Sequence, residues 1–402
     1  MSPFAPATRV ERMRESPSVA AAQRVRELRA SGREILDLTV GEPDFDTPDH
    51  VKAAAVAAID SGLTKYTAVN GIPTLRKAIA TRMFDRTGIE FSDSEITVGG
   101  GAKQIIFLAL MATVENDDQV VVPSPYWVSY PDMVTVHGGT PVVVDCPESD
   151  RFLLTAENLE AAITPATKWV ILNGPANPTG AVYSEEELSA LAAVLERHPH
   201  VSVMCDEIYD EIIFTDAPSP SLLSVAPHLR DQIFLINGVS KSYAMTGWRL
   251  GYGVGNPGLV AAVNKLQSQS SSCPSSISQA AAAEAISGDQ TFVAESNVRY
   301  RARRDIVFDL LSAVDGLAPV LPQGAFYLFV GCAGLLGKRT PDGRILQNDQ
   351  DVVRYLLDYA SVATIQGSAY GTPSYFRISF ATSEDILRAA ATEIAKSIAA
   401  LS

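Results

Sequence analysis

Between residues 95 and 255 the chain alternates short β-rich runs with longer stretches whose apolar positions recur every three or four residues. The short runs are Glu95–Val98, Gln119–Val122, Lys168–Leu172, Val201–Cys205 and Ile233–Ile236. Strands spaced in this way by helical segments predict a parallel sheet with helices on its faces. One helix start is explicit: Ser184-Glu185-Glu186-Glu187 matches a capping box, and Leu188, Leu191 and Leu195 follow at helical spacing. Residues 14–30, 50–60, 74–84 and 256–312, the last with interruptions, also read as helices. After about residue 318 the pattern changes to Gly324-Ala325-Phe326-Tyr327-Leu328-Phe329-Val330, a helix over 349–360, the strand Phe376–Ser379 and a final helix after Ser383. That segment predicts a separate, smaller α+β lobe, with residues 331–350 as an exposed excursion.

A chain of 402 residues exceeds the usual size of one domain, in keeping with two lobes. Hydrophobic residues make up 47% and charged residues 19%, a globular composition. The net charge of -14, with no basic stripe, argues against nucleic acid as a partner. The longest apolar run, Ile105 to Val114, is too short to span a bilayer, and Arg9, Glu11, Arg12 and Arg14 stand where a signal peptide would carry an apolar core. Cys146, Cys205, Cys273 and Cys332 form no CxxC pair, so neither a metal site nor a disulfide framework is expected, and a reducing cytoplasm is the expected compartment.

Chemistry-bearing residues gather at the C-terminal ends of the predicted strands, where open α/β sheets bind ligands. Val120–Val122 leads into Pro123-Ser124-Pro125-Tyr126-Trp127, and Val170–Leu172 into Asn173-Gly174-Pro175-Ala176-Asn177-Pro178-Thr179-Gly180. Val201–Cys205 ends at Asp206-Glu207-Ile208-Tyr209, and Ile233–Ile236 precedes Ser240-Lys241. Each motif alone is an ordinary turn, cap or surface charge. Together they supply an amine able to form a Schiff base, a carboxylate for a ring nitrogen, an aromatic plate and polar groups for a phenolic oxygen, an inventory suited to pyridoxal phosphate. Gly99-Gly100-Gly101-Ala102-Lys103 lies between a strand and the helical run Gln104–Met111, so its amides would open toward a phosphate at a helix N-terminus.

Over essentially its whole length the chain resembles the class I and II aminotransferases of fold type I, in the branch containing bacterial aspartate aminotransferases. The landmarks are Gly41-Glu42-Pro43-Asp44-Phe45-Asp46-Thr47-Pro48, Lys65-Tyr66 before Gly71-Ile72-Pro73, Asn177-Pro178-Thr179-Gly180, Asp206-Glu207-Ile208-Tyr209, the Lys241–Arg249 segment, Gly324-Ala325-Phe326-Tyr327 and Arg377-Ile378-Ser379. The resemblance implies an α/β fold: a large three-layer domain with a mainly parallel sheet, binding pyridoxal phosphate, over 49–295, and a smaller α+β domain over 296–402. Residues 1–48 are expected to form an N-terminal arm and part of the small domain. It further implies that Lys241 forms the internal aldimine and shuttles protons, that Asp206 pairs with the pyridine nitrogen, and that Asn177 and Tyr209 hold the phenolic oxygen. Trp127 would stack on the ring. Gly101, Ala102, Ser240 and Arg249 would form the phosphate cup, with Tyr66 reaching across from the second subunit of a homodimer. Arg377 would take the substrate α-carboxylate, a task suited to a planar guanidinium, assisted by Gly41 and Asn177.

Two departures bear on substrate choice: Ala176 stands where relatives usually have Asn, and Gln366-Gly367-Ser368-Ala369-Tyr370-Gly371 replaces a more usual Pro-Gly-Ser-Ala-Phe-Gly. Aspartate-preferring members carry a lysine at the position of Lys103, which makes it the candidate reader of a distal carboxylate. The expected activity is ping-pong transamination between aspartate and 2-oxoglutarate. Alanine, aromatic or prephenate transamination, with Arg14 contacting a larger acidic substrate, and a β-lyase of the same fold remain alternatives. A non-catalytic regulatory module is disfavoured by the lack of a basic N-terminal extension.

Overall fold

The computed structural model describes residues 5–14 and 17–402. A seven-stranded sheet runs Ile96–Gly99, Gly251–Gly255, Ile233–Gly238, Ser202–Asp206, Thr167–Asn173, Gln119–Ser124 and Thr140–Asp145 from edge to edge. Six of these strands point the same way, and Gly251–Gly255 runs antiparallel to both its neighbours. The sheet therefore is mainly parallel, as the spacing of apolar runs predicts. Alternate residues of each central strand enter different cores. Val170 and Leu172 pack with Leu188, Leu191 and Leu195 on one face, while Trp169 and Ile171 pack with Ile105, Ile106 and Leu110 on the other. Burial on both faces is why the strands read as continuous apolar runs, each large side chain contributing roughly 1.5–3 kcal/mol.

The helix expected after Ser184 is Glu185–Leu195, and its capping box is complete: Ser184 Oγ accepts from Glu187 N at 3.1 Å while Ser184 N donates to the Glu187 carboxylate at 2.7 Å. The segment 256–312 resolves into helices Pro257–Ser270, Ser276–Ser287 and Thr291–Ser312. The helix expected over 14–30 spans Pro17–Ala30; residues 15 and 16 lie outside the described residues.

Two strands of the sheet have no counterpart in the sequence reading. Thr140–Asp145 is an edge strand with a half-exposed, polar-ended pattern. Gly251–Gly255 lacks β-branched density because its backbone is crowded: a Cβ on Gly251 would stand 2.2 Å from Ala102 N, and one on Gly253 would stand 2.4 Å from the Phe234 ring.

The smaller lobe is built on Tyr327–Gly331, paired antiparallel with Tyr375–Ser379 and Ala318–Val320, with Ile365–Gln366 beyond and helices Asp349–Tyr359 and Glu384–Ala399 packed nearby. The chain's first strand, Leu36–Asp37, pairs parallel with Val362–Ala363, so the N-terminal segment is part of this lobe. The excursion over 331–350 is only partly exposed, anchored by buried Leu335, Thr340 and Leu346. Helix Thr291–Ser312 spans both lobes: Val293 enters a large-lobe core and Tyr300, Val307 and Leu311 the small-lobe core. Arg303 on that helix grips Asp44 with two bonds of 2.7 and 2.9 Å. Among the described residues no helix is long and apolar enough to cross a membrane.

Candidate active site

The C-terminal ends of four parallel strands open on one cavity of about 540 Å³, closed from the other side by the small lobe through Tyr327 and Arg377 and by the N-terminal segment through Thr39, Val40 and Gly41. Ala102, Lys103, Trp127, Asn177, Asp206, Tyr209, Ser240, Lys241 and Arg249 all line it. The structure thus gathers residues scattered over more than 300 positions of sequence, as expected at the strand ends of such a sheet.

Lys241 follows the strand Ile233–Gly238, and its Nζ donates to Gly41 O at 2.5 Å. Burial lowers its pKa to about 8; Arg249 and Arg377 push the same way, against Glu42 and Asp206. A substantial share of this amine is unprotonated at mildly alkaline pH, the form that attacks a carbonyl carbon. Asp206 ends its strand with 4% exposure. Burial raises its pKa to about 6, held back from rising further by the Tyr130 hydroxyl donating to Oδ2 at 2.6 Å and by Ile208 N donating to Oδ1. Tyr130 is itself buried, and its ring meets Trp127 edge-on at 5.2 Å. Tyr209 and Tyr327 share a hydroxyl hydrogen bond of 2.8 Å. A Cβ on Gly41 would stand 2.7 Å from the Tyr327 oxygen, so that wall requires glycine.

Arg377 is 3% exposed and stacks over Tyr327 at 4.3 Å. Its Nη1 donates to Asn177 Oδ1 at 3.0 Å and its Nη2 to Thr39 O at 2.7 Å. Its buried Nε finds no acceptor among the described residues. Opposite, helix Ala102–Thr113 begins at Gly101 without a side-chain cap, leaving its first amides free of intrahelical partners. Gly101 has φ 98°, and a Cβ there would stand 2.5 Å from Arg249 Nη2. Arg249 is anchored by Thr246 O at 2.8 Å. Lys103 lies over Trp127 with Nζ 4.6 Å from the ring centroid, its pKa lowered by burial and by Arg249.

An amine, a buried carboxylate ringed by donors, an aromatic plate, an uncapped helix start beside an arginine, and a second arginine with an open donor fit a flat pyridine aldehyde phosphate and a carboxylate substrate. Fold and site together define a fold type I enzyme of amino-group chemistry. The chain belongs to the family Aminotransferase class I and II, whose profile matches residues 33–394; it is an aminotransferase. The chain is 46% identical over 391 residues to the aspartate/prephenate aminotransferase of Cereibacter sphaeroides, covering 97% of this chain and 98% of that one. The crystal structure of the aspartate aminotransferase from Rhizobium meliloti superposes with a TM-score of 0.97 at 47% identity, covering 99% of this chain and all of that one. That of the Thermus thermophilus aspartate aminotransferase with maleate gives 0.91 at 37% identity, covering 98% and 99%.

Two residues named from sequence lie elsewhere. Tyr66 is 89% exposed and apart from this cavity. Arg14 does not line it; its backbone N–H bonds Asp132 at 3.1 Å and its Nε lies 3.5 Å from the same carboxylate. The basic residue of the N-terminal region that does border the cavity is Arg26, with Val19 and Ala22 on the same helix. Tyr130 was missed because its partner Asp206 is 76 positions away and nothing local marks it.

Proposed function

We propose that this chain catalyses ping-pong transamination between aspartate and 2-oxoglutarate with pyridoxal phosphate held in the 540 Å³ cavity. The observation that carries the reading is the Lys241 amine, its pKa lowered to about 8, sharing that cavity with Asp206 and Arg377. When bound, the cofactor supplies an electron sink for the charge developing at the substrate α-carbon. Asp206, oriented by Tyr130, holds the pyridine nitrogen protonated. Tyr209 and Asn177 bind the phenolic oxygen, and Trp127 covers the ring. Ser240, Arg249 and the turn at Gly101 and Ala102 bind the phosphate, the Ala102 amide donating while that of Gly101 is held by Gly99 O. With the cofactor bound, Lys241 would be the amine that holds its aldehyde carbon and the base that moves the proton at the substrate α-carbon, a role contributing roughly 10²–10⁴-fold. Arg377 fixes the α-carboxylate, with Gly41 and Asn177 beside it. The exposed Tyr66 is assigned to the phosphate of a second copy in a homodimer. A cytoplasmic location belongs to the same reading, its support being four cysteines that form no CxxC pair.

Lys103 is proposed to read the distal carboxylate, since it presents a cation at the rim of the cavity. Oxaloacetate and glutamate formation from aspartate and 2-oxoglutarate tests the activity, and its absence with cofactor bound overturns the substrate assignment. Lys103→Met is expected to lower kcat/KM for aspartate about tenfold or more while changing alanine little, the loss of a charged hydrogen bond. Equal loss for both would refute the role. Prephenate is the second reading, favoured by the relative named for both substrates and by Arg26 at the cavity wall; the same assay with prephenate decides it.

A further inference from the structure

The segment that follows the strand Ser202–Asp206 has two sides. Asp206 and Tyr209 face the cavity, whereas Glu207, Asp210 and Glu211 pair with Arg82 and Arg86, four residues apart on helix Pro73–Thr87. Arg86 Nη1 lies 3.0 Å from Glu207 Oε2 and 2.7 Å from Asp210 Oδ2. Arg82 Nη2 lies 3.0 Å from Asp210 Oδ2 and also bonds Glu211. The Glu207 and Asp210 side chains are 7% and 1% exposed, so these two carboxylates are shielded from water, while Arg82, Arg86 and Glu211 border a cleft on the outer side. Ser221 Oγ completes Glu207 with a bond of 2.6 Å. Arg82 has a further partner, donating from Nη1 to the Tyr243 hydroxyl at 3.3 Å, and Tyr243 in turn donates to Gln290 at 2.8 Å. Tyr243 stands two residues after Lys241.

We propose that Arg82 and Arg86 are positioning residues for the cofactor site. Both brace from behind the segment that carries Asp206 and Tyr209, and Arg82 also links it to the segment that carries Lys241. Neither arginine lines the cavity, so they act only through these groups. The physical argument is that neighbouring carboxylates enclosed in protein repel one another and cannot stay ionised without the cations. Burial alone would raise the pKa of Asp210, yet it is lowered, because Arg86, Arg82 and a hydrogen bond from Asn237 together outweigh burial, whereas burial keeps that of Glu207 raised in spite of Arg86. Without the arginines the turn opens or takes up protons, and the Asp206 and Tyr209 side chains on its front move with it. A displacement of about 1 Å at such groups is enough to cost roughly a hundredfold in rate.

The inference rests on the cavity being the pyridoxal phosphate site. The test uses the holoenzyme and reads two quantities besides turnover: the dissociation constant of pyridoxal phosphate, and the pH midpoint at which the visible band of the bound cofactor changes. Arg86→Met is expected to weaken cofactor binding about tenfold or more and to raise the midpoint by about half a pH unit, as Tyr209 loses its hold on the phenolic oxygen. Arg86→Lys should recover most of both. Because Arg86→Met strands buried carboxylates, the paired variant Arg86→Met/Glu207→Gln, which leaves Asp210 to Arg82, decides the matter if the single variant does not fold. Leu387→Ala, in the small-lobe core, serves as the control that lowers stability without touching the network. Folded variants with wild-type cofactor affinity and midpoint overturn the proposal, as does an equal shift in Leu387→Ala. Wild-type protein that binds no pyridoxal phosphate overturns the cofactor reading instead.

Discussion

Replacing Asp206 with asparagine is expected to make the cofactor-free protein more stable at pH 8 while removing its activity. The folded state raises the carboxyl pKa from 3.8 to about 6 through burial. At about 1.4 kcal/mol per pH unit, keeping Asp206 ionised at pH 8 costs about 3 kcal/mol. Asparagine occupies the same space, still accepts from the Tyr130 hydroxyl, and loses the long 3.3 Å bond from Ile208 N, worth about 1 kcal/mol. A net gain of about 2 kcal/mol remains. The sign follows from the raised pKa. The protonated carboxyl favours the folded state, so that stabilisation is complete below the ordinary 3.8 and is lost as pH rises through about 6. The advantage of asparagine therefore grows over the same interval and is absent near pH 4. Urea unfolding of both proteins without cofactor, at pH 4, 6 and 8, measures it. A variant no more stable than wild type at pH 8, or an advantage that does not depend on pH, would refute the reasoning.

Arg377→Lys should raise the KM for amino-acid substrates roughly 10- to 100-fold, since an ammonium cannot hold Asn177 Oδ1 and Thr39 O together and still present a fork to a carboxylate; steady-state kinetics at saturating 2-oxoglutarate checks this, and an unchanged KM would count against the carboxylate role. Ser184→Ala removes the acceptor for Glu187 N and should cost about 1 kcal/mol in urea unfolding with turnover unaltered.

The parallel core was legible because burial on both faces writes itself as apolar runs, and the Ser184 cap because its chemistry is local. Strand Gly251–Gly255 was not legible: what its positions require is the absence of side chains beside Ala102 and Phe234, and glycine in sequence reads as a turn. The motifs at the strand ends announced Lys241, Asp206 and Asn177 as an inventory, and the fold then placed them in one cavity. Tyr130 and the two arginines behind Asp206 carried no comparable signal, since their meaning depends on partners that only the tertiary structure brings within reach. Arg14 shows the converse. Its charge suggested a substrate contact, and the structure spends it on Asp132.

The pairing of Leu36–Asp37 with Val362–Ala363 has a consequence for how the molecule comes into being. During synthesis the first strand emerges long before its partner exists, and at roughly 5–20 residues per second the wait is about 20 to 60 s. The large sheet, whose last strand ends at Gly255, can assemble in that interval. Thr39, which holds Arg377 in place, cannot meet it until the far end of the chain arrives. The carboxylate pocket therefore closes after the large sheet, and a chain cut short before Arg377 would carry a finished sheet and an unfinished site.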